Sequence, residues 1–192
     1  MHIYTRQGDK GCTRLIGGER VGKDDPRVRV GGEADELCSW LGLVAAEAPA
    51  GRPKLARQVR QVQGELFAVG AVAQLQGHGK GRQRIRLVGA RECSRIERWI
   101  DAIEAEVPPL DGFILPGGCR AAAATHVARS VCRRLECDLV ALSRTADAKN
   151  AAVMMNAVAY VNRLADYLFV LARFCNHIAH VEEPVRAIRE NP

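Results

Sequence analysis

Five stretches of this 192-residue chain place apolar residues at steps of three and four, and almost no stretch alternates with the period of two that a half-buried strand requires. The first spans about residues 27–48, with Ala34, Leu37, Leu41 and Val44 on one stripe. The second spans about 53–76 and carries Leu55, Val59, Val62, Leu66, Val69 and Ala73, with Pro53 suited to a first helical turn. The third spans about 91–106 (Ile96, Ile100, Ile103) and is stopped by Pro108-Pro109. The fourth spans about 120–142 (Ala128, Val131, Leu135, Leu139, Leu142) and the fifth about 152–180 (Val158, Val161, Ala165, Leu168, Ala172, Cys175). A possible short strand at 85–88 is the one exception. Five amphipathic helices with moderate connections predict an all-α, five-helix antiparallel bundle with up-down, ferritin-like packing. Only 5% of residues are aromatic, so Ala, Val and Leu must fill its core, which suits close helix packing.

No internal repeat or Ser/Pro linker divides the chain, and its length suits one domain. Residues 1–26 read as an irregular, glycine- and charge-rich arm closed by Asp25-Pro26, residues 27–180 as the bundle and 181–192 as a tail. Two connections stand out. One is glycine-rich and basic, at 77–86. The other, at 111–118, has an apolar tip around Phe113-Ile114-Leu115. The seven cysteines form no C-x-x-C pair and are odd in number, which argues against a disulfide framework or a zinc site. No apolar run reaches the roughly 18 residues needed to span a bilayer, and the first residues lack a secretory h-region. The expected location is the cytoplasm, with no membrane partner. A formal net charge of +6, carried far more by Arg than by Lys, suits phosphate-rich ligands, nucleic acid or other polyanions without choosing among them.

Three groups of residues can carry chemistry. The arm reads Thr5-Arg6-Gln7-Gly8-Asp9-Lys10-Gly11-Cys12-Thr13-Arg14, followed by Lys23. Glycines let backbone N–H groups turn toward an anion, threonines add hydroxyl donors, and Lys10, Arg14 and Lys23 add charge, as a polyphosphate requires. A solvated terminus is the bland alternative, and the spacing is not that of a Walker A loop. The fourth helix carries Arg129, Arg133 and Glu136 at i, i+4 and i+7, with Arg134 beside them; Arg forks grip phosphate in two-point contacts. The alternative there is a solvated face with intrahelical ion pairs. The fifth helix sets Asn162, Arg163 and Asp166 among Val158, Val161, Leu164, Leu168 and Phe169, so the Asn162 amide needs a partner, either a neighbouring polar group or a ligand. Asp35 stands near the start of the first helix, where acids are favourable. His177 and His180 fit a helix C-terminus better than a metal site, and His126 reads as a packed residue.

Six ordered blocks then resemble the PduO-type ATP:corrinoid adenosyltransferases: Ile3-Tyr4-Thr5 with Gly8-Asp9-Lys10-Gly11, Gly17-Gly18-Glu19-Arg20-Val21 with Lys23-Asp24-Asp25, Asp35-Glu36-Leu37, Phe113-Ile114-Leu115-Pro116-Gly117-Gly118, His126-Val127-Ala128-Arg129 with Cys132-Arg133-Arg134 and Glu136, and Val161-Asn162-Arg163-Leu164 with Asp166-Tyr167-Leu168-Phe169. The resemblance implies transfer of the 5′-deoxyadenosyl group of ATP to cob(I)alamin, giving adenosylcobalamin and inorganic triphosphate. It also implies a homotrimer with ATP between subunits. Thr5, Arg6, Gln7, Gly8, Lys10, Thr13, Arg14 and Lys23 would wrap the triphosphate. Arg133, Arg134, Glu136 and Asn162 would complete the ATP site, Asn162 beside an ATP-bound Mg²⁺. Asp35 and Arg129 would pair across subunits next to the corrin, and Phe113 would face the corrin's lower side. Gln7, Gly31 and Ala165 depart from the family's commoner residues. A reductase supplying Co(II) reduction is the expected partner. Two other functions stay open on the residues alone: a basic helical nucleic-acid-binding module, supported by net charge and the Arg82, Arg84, Arg86 cluster but short of aromatics for stacking, and a non-catalytic corrinoid chaperone, against which the triphosphate arm argues.

Overall fold

The computed structural model describes residues 3, 4, 6–48, 51–74 and 87–185. Its helices are α1 (Pro26–Ala46), α2 (Pro53–Gln74), α3 (Ala90–Glu104), α4 (Arg120–Ser143) and α5 (Ala148–Ile178). They form a five-helix bundle in which α4 lies against α1 and α5, α2 against α1 and α5, and α3 against α5. The short connections α1–α2 and α4–α5 make these packed neighbours antiparallel. All five stripes are buried: Leu37, Leu41, Val59, Val62, Ile96, Leu135, Leu139, Leu164 and Leu168 are 0% exposed. Each such aliphatic side chain contributes roughly 1.5–3 kcal/mol by leaving water. Gly70 of α2 lies against Gly31 and Ala34 of α1, where a Cβ would come 3.4 Å from the Ala34 Cβ; a Cβ at Gly31 would meet only the Gln74 side-chain tip.

Helix starts follow their caps. The Asp25 side chain accepts from the Arg27 backbone N–H at 2.8 Å, and Pro26 opens α1. Helix α5 begins four residues before the expected 152. Asp147 accepts from the N–H groups of Lys149 and Asn150 at 3.1 and 3.0 Å and so starts the helix ahead of the apolar stripe. Glu92 reaches back to the Gly89 N–H at 3.1 Å and fixes the start of α3.

Part of the arm is regular, a difference from its expected irregularity. Strands β1 (Cys12–Arg14) and β2 (Arg20–Gly22) pair antiparallel, Thr13 opposite Val21. Gly17-Gly18 turns the chain between them, closed by Leu15 N–H to Glu19 O at 2.9 Å. Three residues per strand are too few to show an alternating pattern, so only the glycine pair marks the hairpin. Leu15 and Val21 are buried, although most of the hairpin is exposed. Arg27 joins the arm to α1 through Asp25 and Glu19, at 2.7 and 2.8 Å. Thr5, the 77–86 connection, residues 85 and 86 of the possible strand and the tail beyond 185 lie outside the described residues; Leu87 and Val88 are not in a strand. Among the described residues no helix is long and apolar enough to cross a membrane.

Candidate functional site

The hairpin places Gln7, Gly8, Cys12, Thr13, Arg14 and Arg20 around a polar hollow of about 540 Å³. The Lys23 ammonium lies over Gly8, where a Cβ would come 3.0 Å from its Nζ. Lys10 and Lys23 are exposed beside it, and Arg14 donates to the Gly18 carbonyl at 3.2 Å, which fixes its guanidinium across the turn. Arg6 takes the left-handed conformation at φ 58° and lies 5.6 Å over the Tyr4 ring. Cationic side chains and turned backbone with no acid among the lining residues make this hollow suited to an anion. It contains no residue of α4 or α5.

On α4, two neighbouring arginines serve different faces because successive helix residues point about 100° apart. Arg134 turns to α1 and pairs with Glu33 at 3.4 Å and with Glu36. Arg133 points to solvent and makes no ion pair among the described residues. Glu136 is bridged to α5: the Asn162 amide donates to its Oε1 at 2.9 Å. Asn162 is exposed rather than enclosed by its apolar neighbours, so burial does not require a partner, and the one its amide nitrogen meets is another of the expected site residues. Arg163 is held by Asp166 at 2.9 Å and Glu97 at 3.2 Å.

A second cavity, about 770 Å³, lies between the 110–116 loop, α3, α4 and α5. Leu110, Phe113, Ile114, Phe169 and Val170 give it apolar walls; Glu97, Asp101, Glu104 and Asp166 face Arg129 and Arg163 as its charged lining. Phe113 stands at its edge with 73% of its surface exposed. An aromatic ring left in water beside a hollow of drug-like size marks a binding surface. Arg129 is half-buried and lies 5.2 Å over the Phe169 ring, and burial together with nearby Arg133 lowers its pKa. His126 is buried at the cavity wall with its ring edge-on to Phe169, and burial pushes its pKa down. Asp35 is exposed on α1 and lines a hollow with Ile16, Cys38 and Phe67; it does not meet Arg129 within one chain.

Sequence reasoning missed three polar residues that the fold uses. Glu33 is 8% exposed between α1 and α4, where burial and the neighbouring Asp138 carboxylate hold its carboxyl well above the usual range. Arg173 and Asn176, 8% and 2% exposed, lie in the most apolar part of α5. Their signal was present: two polar side chains at i, i+3 amid Leu171, Ala172, Phe174 and Cys175 must find partners or be excluded from the core. Among the described residues no group of His, Cys, Asp or Glu is arranged to hold a metal ion by itself, His177 and His180 included.

The chain matches the family model described as cobalamin adenosyltransferase over residues 3–175. It is 40% identical over 172 residues to the corrinoid adenosyltransferase of Citrobacter freundii, covering 89% of this chain and 93% of that one. It is also 40% identical over 178 residues to the cobalamin adenosyltransferase of Cupriavidus metallidurans, covering 91% and 88%. A phenylalanine-to-alanine variant of the PduO-type ATP:corrinoid adenosyltransferase from Lactobacillus reuteri, complexed with cobalamin and ATP, superposes with a TM-score of 0.87 at 33% identity, covering 97% of this chain and 99% of that one.

Proposed function

The chain belongs to the cobalamin adenosyltransferase family, and on that premise we propose how its residues carry the family's reaction. It transfers the 5′-deoxyadenosyl group of ATP to the cobalt of a reduced corrinoid, giving adenosylcobalamin and inorganic triphosphate. The observation that carries the assignment of residues is the cavity of about 770 Å³ that is lined by both the exposed Phe113 ring and Arg129.

In the reaction, the cob(I)alamin cobalt donates an electron pair to the ATP C5′, the Co–C bond forms, and the C5′–O bond breaks with its pair passing to triphosphate. The nucleophile has no proton to lose, so no general base is needed. The protein acts by positioning and by electrostatics. Arg6, Gln7, Gly8, Lys10, Thr13, Arg14 and Lys23, with Thr5 ahead of them, surround the triphosphate, and Arg133 from α4 meets the charge that grows on it. The Asn162 amide oxygen and the second Glu136 oxygen fit an ATP-bound Mg²⁺, which binds through one or two protein oxygens plus phosphates and would neutralise part of the leaving charge. Arg134 contributes by holding α4 to α1 through Glu33 and Glu36. Phe113 and the apolar wall cover the lower corrin face, exclude an axial donor from cobalt, and bring Co(II) within reach of a reductase.

The ATP site lies between subunits of a homotrimer. The arm's hollow holds no α4 or α5 residue, Arg133 projects into solvent, and Asp35 and Arg129 do not meet within a chain; a neighbouring copy brings them together. Seven free thiols suit a reducing compartment, the cytoplasm.

Asp35→Ala and Arg129→Ala test this arrangement. Each leaves the other charge unpaired at the interface, so the double variant should be less impaired than the sum of the singles, with a coupling of about 0.5–3 kcal/mol. Sedimentation equilibrium should give three chains per particle for the parent protein. Strict additivity in activity and stability, or a monomer at micromolar concentration, would remove the intersubunit site.

A further inference from the structure

The loop that carries Phe113 is fastened at both ends and at its tip, while the ring itself is left exposed. At the entry, the Pro108 carbonyl accepts from Arg173 Nη2 at 2.9 Å. At the exit, Asn176 Nδ2 donates to the Gly117 carbonyl at 3.1 Å and Asn176 Oδ1 accepts from the Cys119 N–H at 3.0 Å. Gly118 sits between those two bonds at φ +104°, and a Cβ there would lie 2.0 Å from Asn176 Oδ1, so only glycine lets the amide clasp the chain. At the tip, the Leu115 N–H donates to the Pro184 carbonyl at 2.8 Å, and Ile114 forms an antiparallel bridge with Val185. Glu183 joins these anchors: its Oε2 accepts from Arg173 Nε at 3.0 Å and its Oε1 from Asn176 Nδ2 at 3.5 Å.

Arg173 and Asn176 are buried polar groups in an apolar helix, which costs stability unless every donor is satisfied. Their partners are almost all in the 108–119 loop and the 181–185 segment. The cost is thus offset by fixing those two segments rather than by joining helices. We propose that Arg173, Asn176 and Glu183 are positioning residues that hold the 108–119 loop, through the 181–185 segment, in the one conformation that presents Phe113 to the corrin. Preorganised this way, the ring meets its ligand without ordering the loop on binding. The proposal rests on the reading of Phe113 as the residue facing the corrin.

Glu183→Ala in the full-length protein is the informative variant, because Glu183 lies after α5 and outside the helical core. Backbone hydrogen exchange across residues 110–118 should speed up about tenfold or more while exchange in α4 stays near that of the parent, and the melting temperature should fall, since the buried Arg173 loses its carboxylate partner. The KM for cob(I)alamin should rise about five- to tenfold and the KM for ATP should change less than about twofold. Glu183→Gln, which keeps an oxygen for Arg173, should show a smaller change in each. Unchanged loop exchange in Glu183→Ala would overturn the proposal. So would loosening of α4 together with the loop, or equal rises in both KM values, since these mark a general structural role. Phe113→Ala measured alongside separates the two readings. A normal corrinoid KM in that variant would remove Phe113 from the corrin face, whereas a faster loop with a raised corrinoid KM in Glu183→Ala would still support positioning by Glu183.

Discussion

Phe113→Ala should lower turnover from cob(II)alamin by roughly 10- to 150-fold, because the opened space readmits water or another axial donor to cobalt. The ring is 73% exposed in the free chain, so its removal costs the fold little, and the melting temperature should hold. Turnover from pre-reduced cob(I)alamin should fall far less, because Co(I) has no axial ligand to lose. The ATP KM should barely move. Electron paramagnetic resonance of the Co(II)–ATP complex should show the four-coordinate species becoming scarce. Equal losses from both starting states, with a lowered melting temperature, would show that Phe113 merely caps the end of the bundle.

Arg133→Ala should raise the ATP KM, lower kcat, or both, by about 10- to 150-fold in kcat/KM, as loss of a charge-assisted hydrogen bond of about 1.5–3 kcal/mol requires. Arg133 is exposed and makes no ion pair among the described residues, so stability should change by less than about 0.5 kcal/mol. Arg134→Ala makes a useful contrast. Arg134 ties α4 to Glu33 and Glu36 on α1, and its loss should act on stability first, leaving a buried Glu33 without its cation. Steady-state kinetics paired with thermal melts distinguishes the two neighbours; similar profiles for both would place Arg133 outside the triphosphate site.

That contrast shows how the sequence was legible and where it was not. Heptad-like stripes such as Leu135, Leu139 and Leu142 depend on neighbours three and four residues away, so all five helices could be read within a few residues of their ends. Caps refine this: Asp25-Pro26 marks the start of α1, whereas Asp147 stands ahead of the apolar stripe, so periodicity alone sets the start of α5 four residues late. The polar stripe of α4 was equally local, and Glu136 proved to be the partner of Asn162. The direction of Arg134 was not local, since it depends on α1 packing beside α4. The clasp of Arg173, Asn176 and Glu183 on the 108–119 loop joins residues 57 to 65 positions apart as well as close neighbours. Periodicity cannot show such pairings; only the demand of two buried polar side chains for partners hinted at them. The hairpin in the arm was hidden by strands of three residues. The proposed intersubunit site is less legible still, because its two halves would come from different copies of the chain.

The most direct test is an anaerobic assay with ATP and chemically reduced cobalamin, following the cob(I)alamin absorbance and identifying the phosphate product. Enzyme-dependent decay of that absorbance should yield adenosylcobalamin and one equivalent of intact triphosphate. Decay without adenosylcobalamin, no decay above the rate without protein, or ATP cleaved to ADP and phosphate would contradict adenosyl transfer by this chain.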